Sequence, residues 1–224
     1  MLPVGGRPII EYIIDKLNKV EELDLIYIVT NHKFFGHFQE WNRIYTGPKK
    51  IEIVNDNTTE DGNKLGAIGD IEYVIRNKKI ADDLLIIAGD NIFDFEVTEF
   101  VSFYKNRGVS IVSYDVGALG LATKYGVVAI DQEGKVTSFE EKPKKPKSTL
   151  ISMGVYGIPA GKINLIDRYL EEKNNMDAPG RYIKWLSEID TVYSFIYKGQ
   201  WFDIGDIDSY KEVERLVSEG ELFG

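Results

Sequence analysis

The residues best suited to do chemistry stand in one short run, Leu84 to Asn91, LLIIAGDN, where apolar positions lead into a glycine, a carboxylate and an amide. Leu84, Leu85, Ile86, Ile87 and Ala88 show no polar alternation, which predicts a parallel strand buried on both faces. Such a strand delivers Asp90 to its carboxyl end, the edge where open α/β sheets bind ligands. Ala88 and Gly89 leave room for close approach to the backbone. Asp90 with Asn91 offers hard oxygens of the kind that suit Mg²⁺. Gly, Asp and Asn are equally the residues of a plain strand-to-loop turn, and these positions alone are compatible with either reading.

Around this run, the pattern reads as alternating helices and strands. MLPVGG at 1–6 is a loop, and Pro8 suits the first turn of a helix through Ile9, Ile10, Ile13, Ile14 and Leu17. A strand follows at 25–30, an aromatic helix at about 34–44 and a strand at 51–55. After the polar, turn-rich 56–66 come a helix at about 67–77, the strand that ends at Asp90, a helix at 97–106 and a strand at 109–116. This alternation predicts a doubly wound, mostly parallel, Rossmann-like sheet. Beyond Asp115 the texture is β-rich. A hairpin spans 124–130 and 136–140 with Glu133-Gly134 at its turn, and a lysine-rich loop, KPKKPK, leads to a strand at 150–157. Helices at 162–171 and 181–186, a strand at 191–197 and a helix at 207–218 complete the chain. The whole reads as one domain, with a nucleotide-sized half at about 1–116 and a β-rich half at about 117–224.

Composition narrows the function. The 224 residues are 43% hydrophobic, enough for a sizeable core. Lys and Arg number 27 against 36 Asp and Glu, a net charge of −9, which argues against nucleic-acid or anionic-membrane binding. A polyanionic small ligand remains compatible where metal ions and placed lysines offset its charge. With no cysteine and two histidines, disulfides, thiolate metal sites and a His-rich zinc site are disfavoured. No run approaches the ~18 apolar residues of a membrane span, and no signal pattern opens the chain, so the expected compartment is the cytoplasm.

Five strings then occur in order: GDN at 89–91, KYGVV at 124–128, FEEKP at 139–143, MGVYGIP at 153–159, and WFDIG at 201–205 with Ser209-Tyr210 after it. On these the chain resembles the sugar-phosphate nucleotidyltransferases, of the glucose-1-phosphate thymidylyltransferase type, over nearly its whole length. LPVGGRPIIEYII at 2–14 is similar to the segment after that family's signature loop.

The resemblance implies a reaction in which a sugar 1-phosphate oxygen attacks the α-phosphorus of a nucleoside triphosphate and pyrophosphate leaves. Positioning and charge neutralisation then carry most of the catalysis. By resemblance, Asp90 and Asp203 hold Mg²⁺, Lys142 clamps the sugar phosphate and Glu141 accepts hydrogen bonds from sugar hydroxyls. Gly126, Gly154 and Tyr156 line the same pocket. Asp90 and Asp203 meet only if the β-rich half folds back over the strand end. Lys144, Lys145 and Lys147 read as a solvated loop, Trp201 as packing, and Asp206 as a better helix cap than Asp203.

For the nucleotide base, Asn55 and Asn57 can donate and accept in the plane of a ring, and Gly66 can admit it near the backbone. This loop lacks the family's proline before its glycine, which leaves thymine, uracil, cytosine and guanine open. Homo-oligomerisation is left open as well. The family also opens with a strand and a GxGTRLxP loop followed by Lys-Pro, and neither precedes Leu2. The expectation is that roughly two dozen upstream residues have been lost, with impaired activity and with two apolar strands left with unpaired inner edges. The alternative is a non-catalytic homologue that binds nucleotide or sugar phosphate and acts through protein interaction. A dehydrogenase is disfavoured because no G-x-G-x-x-G follows a strand, and a glycosyltransferase because Asp90-Asn91-Ile92 is not Asp-x-Asp.

Overall fold

Apolar runs and amphipathic segments alternate much as expected in the computed structural model, which describes residues 2–60, 62 and 64–222. The start departs from a plain loop. Two-residue strands β1 (Pro3–Val4) and β2 (Arg7–Pro8) form a small hairpin through Gly5 and Gly6, both at positive φ. Pro8 stands just outside helix α1 (Ile9–Leu17), whose Ile9, Ile13, Ile14 and Leu17 face the core.

Strands β3 (Leu25–Thr30) and β4 (Lys50–Asn55) pair in parallel, joined by helix α2 (His32–Ile44), which Asn31 caps through its side chain. Helix α3 (Gly66–Lys78) carries the chain from β4 to strand β5 (Leu84–Ile87). Strand β6 (Asn91–Phe93), helix α4 (Val97–Arg107), strand β7 (Ser110–Asp115) and the single turn α5 (Leu119–Ala122) follow. The hairpin of β8 (Gly126–Ile130) and β9 (Val136–Glu141) is antiparallel. Strand β10 (Leu150–Ile158) leads, after a 3-10 turn, to helices α6 (Asn164–Glu171) and α7 (Pro179–Ile189). Strands β11 (Tyr193–Tyr197) and β12 (Trp201–Asp203) and helix α8 (Ile207–Ser218) end the described chain.

The class is mixed α/β, as expected, with β10 as the hub. It runs antiparallel to β7, β8 and β5, while β11 lies parallel to β7 at the edge. The register between β10 and β7 slips between Ser152 and Tyr156. Gly154 sits in that slip at φ +73°, where a side chain would be strained.

One expectation needs correcting. The run 84–87 is expected to be a parallel strand buried on both faces, yet β5 pairs antiparallel with β10 and all four residues are only half-buried. The reason lies beside it. Among the described residues, β5 has no strand partner opposite β10 and β3 has none opposite β4. Leu85 and Ile87 still pack on the cluster that holds Ile26 and Ile28 of β3, and Leu84 and Ile86 on the one that holds Ile68 and Ile75 of α3. The two strands thus share helical cover without sharing hydrogen bonds.

The core falls into three clusters. The first joins α1, β3 and α4, and the second joins α3, α6 and α7. The third ties the β1–β2 hairpin and α1 to Ile92, Ile204 and α8. Fully buried side chains such as Ile111 and Ile151 contribute roughly 1.5–3 kcal/mol each. Among the described residues no helix is long and apolar enough to cross a membrane.

Candidate active site

Strand pairing brings the two distant aspartates together. β12 runs antiparallel to β6 with Asp203 opposite Asn91, and the Ile204 N–H donates to the Asp90 carbonyl at 2.9 Å. Asp90 and Asp203 therefore sit on adjacent backbones at one strand end. The Asp203 carboxyl is pushed above the ordinary aspartate range, first by burial and then by the charge of Asp90. Asp206 adds to that push, while Lys142 and Lys124 oppose it. Asp206 itself caps α8 through the Ser209 N–H at 2.8 Å, so Asp203 is free of that duty.

Asn91 does not act as the outward oxygen ligand that its sequence position suggests. Its side chain is 3% exposed, Oδ1 accepts from the Trp201 indole N–H at 2.7 Å, and Nδ2 donates to the Ala88 carbonyl and to Asp90 Oδ1. It braces the turn and orients Asp90. Trp201 in turn packs edge-on against Tyr125, in keeping with a packing role.

Lys142 and Glu141 come from the neighbouring hairpin. Glu141 pairs with Gly126 across β8–β9, and the Lys142 N–H donates to the Tyr125 carbonyl at 3.0 Å. Lys142 is held at φ +44°, a left-handed conformation that a non-glycine residue adopts at some cost. Glu141 is raised above the usual glutamate value by burial, against the pull of Lys142 and Arg181.

The Glu141 carboxylate lies between two glycine backbones. A Cβ at Gly126 would run into the Phe139 ring and approach Glu141 Oε2 to 3.3 Å. At Gly180, at the N-terminus of α7, it would strike both Glu141 and Phe139. Gly180, Arg181 and Lys124 are the residues that sequence reasoning missed. The Pro179-Gly180 pair at a helix start was the available signal for the first. Gly154 abuts the Ala88–Asn91 turn, where a Cβ would sit 3.0 Å from that of Ala88. Tyr156 is buried in the second core cluster, with its phenol pushed up to about 12 chiefly by burial.

The residues picked for base contact lie at the ends of β3 and β4, beside a cavity of about 620 Å³. Gly66 lines it. Asn55 and Asn57 do not: Asn55 Nδ2 meets His32 Nδ1 at 3.0 Å, its Oδ1 accepts the Asn57 N–H, and Asn57 Nδ2 donates to the Tyr73 hydroxyl at 2.8 Å. The alternate residues, Asp56 and Thr58, face the cavity instead, with Asp70 of α3 beside them. A groove of similar volume between α4 and Phe195 shares no residue with either site.

Two carboxylates at one strand end, one of them destabilised by the other's charge, form an oxygen donor set that fits a hard divalent cation shared with phosphate oxygens. Among the described residues no group of three or more His, Asp or Glu side chains gathers around a single point. A site of this kind leaves most coordination positions to substrate and water.

A nucleotidyl transferase family model matches residues 1–220. Glucose-1-phosphate adenylyltransferase of Thermosipho africanus is 30% identical over 152 residues, covering 64% of this chain and 37% of its own. Bifunctional protein GlmU of Methanococcus aeolicus is 29% identical over 206 residues, covering 92% of this chain and 46% of its own. The chain spans less than half the length of these curated relatives. Among solved structures, an apo UDP-glucose pyrophosphorylase superposes with a TM-score of 0.79 at 18% identity, covering 99% of this chain and 90% of that one. At that identity the likeness speaks to the fold.

Proposed function

The chain belongs to the nucleotidyl transferase family, and we propose that it transfers a nucleotidyl group from a nucleoside triphosphate to a sugar 1-phosphate, giving a nucleotide-sugar and pyrophosphate. One observation carries this reading: Asp203, on the last strand, is paired beside Asp90, with Lys142 and Glu141 on the adjoining hairpin.

A sugar phosphate oxygen attacks the α-phosphorus in line, the bond to the β-phosphate oxygen breaks, and pyrophosphate departs. Asp90 and Asp203 would hold Mg²⁺, which would offset the charge that develops on the attacking and leaving groups. Lys142, whose charge acts on both Asp203 and Glu141, would clamp the sugar phosphate. Glu141 accepts from sugar hydroxyls. Its raised pKa marks a carboxylate in want of donors, which a polyol supplies. Gly126 makes room for the Phe139 ring and the Glu141 carboxylate, Gly154 for the Ala88 methyl at the Asp90 turn, and Tyr156 backs the pocket wall. At the other end, Gly66 lines the cavity that would take the base, its own open side filled by the Met176–Asp177 backbone, while Asn55 and Asn57 hold the turn at the end of β4. The cytoplasm is the compartment in which nucleotide substrates and Mg²⁺ are both at hand.

Pyrophosphate release, with Mg²⁺, across nucleoside triphosphates and a panel of sugar 1-phosphates tests the proposal. Turnover that needs one sugar phosphate and one nucleotide together supports it. Hydrolysis without a sugar acceptor, or no release with any pair, overturns it.

A further inference from the structure

The cavity at the ends of β3 and β4 has a floor that the transfer chemistry does not use. Its buried polar side chains are Asp56 and Thr58, each 8% exposed. Thr58 is spent on its neighbour: its N–H reaches Asp56 Oδ1 at 2.7 Å and its hydroxyl lies 2.9 Å from both carboxylate oxygens. Asp70, one turn into α3, enters the same cavity beside the Asp56 carboxyl, with which it can share a proton, and among the described residues its buried Oδ1 has no hydrogen-bond partner. Burial and then the Asp56 carboxylate push the Asp70 carboxyl up to about 6, so two acids crowd one side of the cavity with no cation between them. The lysines that line the cavity are otherwise engaged, Lys64 with Asp177 at 3.2 Å and Lys33 over the Phe34 ring at 5.1 Å.

A floor of acceptors selects for a ligand edge made of donors. The common bases differ sharply on this point. Guanine presents N1–H and the N2 amino group side by side, a two-point match to a carboxylate. Uracil and thymine present one N–H flanked by two carbonyls, which bring lone pairs against the aspartates. Cytosine and adenine place a ring-nitrogen acceptor next to their amino group, so one of the two contacts is repulsive.

Resting on the nucleotidyl-transfer reading, we propose that Asp70, supported by Asp56, reads the Watson–Crick edge of the base and makes this a guanine-nucleotide site. Asp70 is then a specificity-determining residue remote from the reacting phosphates. The asparagines at 55 and 57 hold the turn that presents Asp56.

The test is equilibrium binding of GTP, ATP, CTP, UTP and dTTP to the 224-residue chain at pH 7.5 with Mg²⁺, repeated with Asp70→Asn. GTP is expected to bind roughly 10–100-fold tighter than UTP or dTTP, the discrimination of one good bidentate base contact. Asp70→Asn puts an amide donor where the acceptor stood, so it should erase the GTP preference and improve UTP and dTTP. UTP or dTTP binding as tightly as GTP in the unaltered chain overturns the base assignment and leaves nucleotidyl transfer standing. Unchanged ratios in the variant overturn the role of Asp70. Failure to bind any of the five nucleotides overturns both the assignment and the function on which it rests. The wild-type ratios decide the point even if the variant folds poorly.

Discussion

The cleft around Asp203 and the cavity around Asp70 both hold half-buried aspartates, yet they are built in opposite ways. In the cleft, strand pairing sets the charges: Asp203 opposite Asn91, Glu141 opposite Gly126, Lys142 tied to Tyr125. Both signs are present, with Lys142 and Lys124 facing Asp90, Asp203 and Asp206. In the cavity, a local turn and the first turns of a helix set the charges, and the floor is of one sign. Mixed signs suit phosphates joined through a cation, whereas a floor of bare acceptors suits a neutral ring rich in donors. The same residue type thus serves two chemistries because its neighbours differ.

The largest way to break this comparison is at the cleft. Asp203→Asn should lower transfer by roughly 10²–10³-fold, the loss typical of one preorganised electrostatic group. Its melting temperature should hold or rise, because the change removes repulsion with Asp90. Pyrophosphate release together with a thermal melt checks both, and near-normal turnover would remove Asp203 from the chemistry.

Next comes Gly180→Ala, which drives a methyl into Glu141 and Phe139. Overpacking of this kind costs about 1–3 kcal/mol. The sugar-phosphate KM should climb while nucleotide affinity stays put. A variant with a lower melting temperature and unchanged KM would show that Gly180 serves packing alone.

Lys142→Ala should raise the sugar-phosphate KM by roughly tenfold, the worth of a charge-assisted contact of at least 1.4 kcal/mol. Steady-state kinetics with each substrate varied in turn separates the two subsites. An effect confined to the nucleotide would place this lysine at the other end of the reaction.

The smallest effect sharpens the cavity side. The Asp70 carboxyl titrates at about 6 in the folded protein against an ordinary 3.8. The folded state therefore holds a proton that the unfolded chain has released, and stability falls as pH rises through this window. The side chain keeps substantial solvent contact, so the loss is on the order of 1 kcal/mol. Asp70→Asn should melt higher than the parent at pH 7.5, with the difference shrinking toward pH 4. Thermal melts across that range check the sign.

Much of this was legible in the residues themselves. Strand β3 and helix α8 stand where periodicity and turn chemistry put them, and Asp206 caps α8 as its place before Ile207 suggested. The run ending in Gly89-Asp90 did mark the end of a strand, β5. These features depend on residues within a turn or two of one another, so local sequence is enough to decide them.

What folding alone decided is everything that needs two distant segments at once. The pairing of β12 with β6 spent the Asn91 oxygen on Trp201 and left Asp203 for the cleft. The return of α7 set Gly180 against Glu141. The packing of α3 beside β4 turned Asp56 and Thr58, rather than Asn55 and Asn57, toward the cavity. Strand β4 ends at Asn55 and the backbone turns at Asn57, φ +64°, so the sequence alone determined that a polar turn lies here. Which set meets the ligand was decided by the tertiary structure, because only the element packed alongside defines which side is the inside.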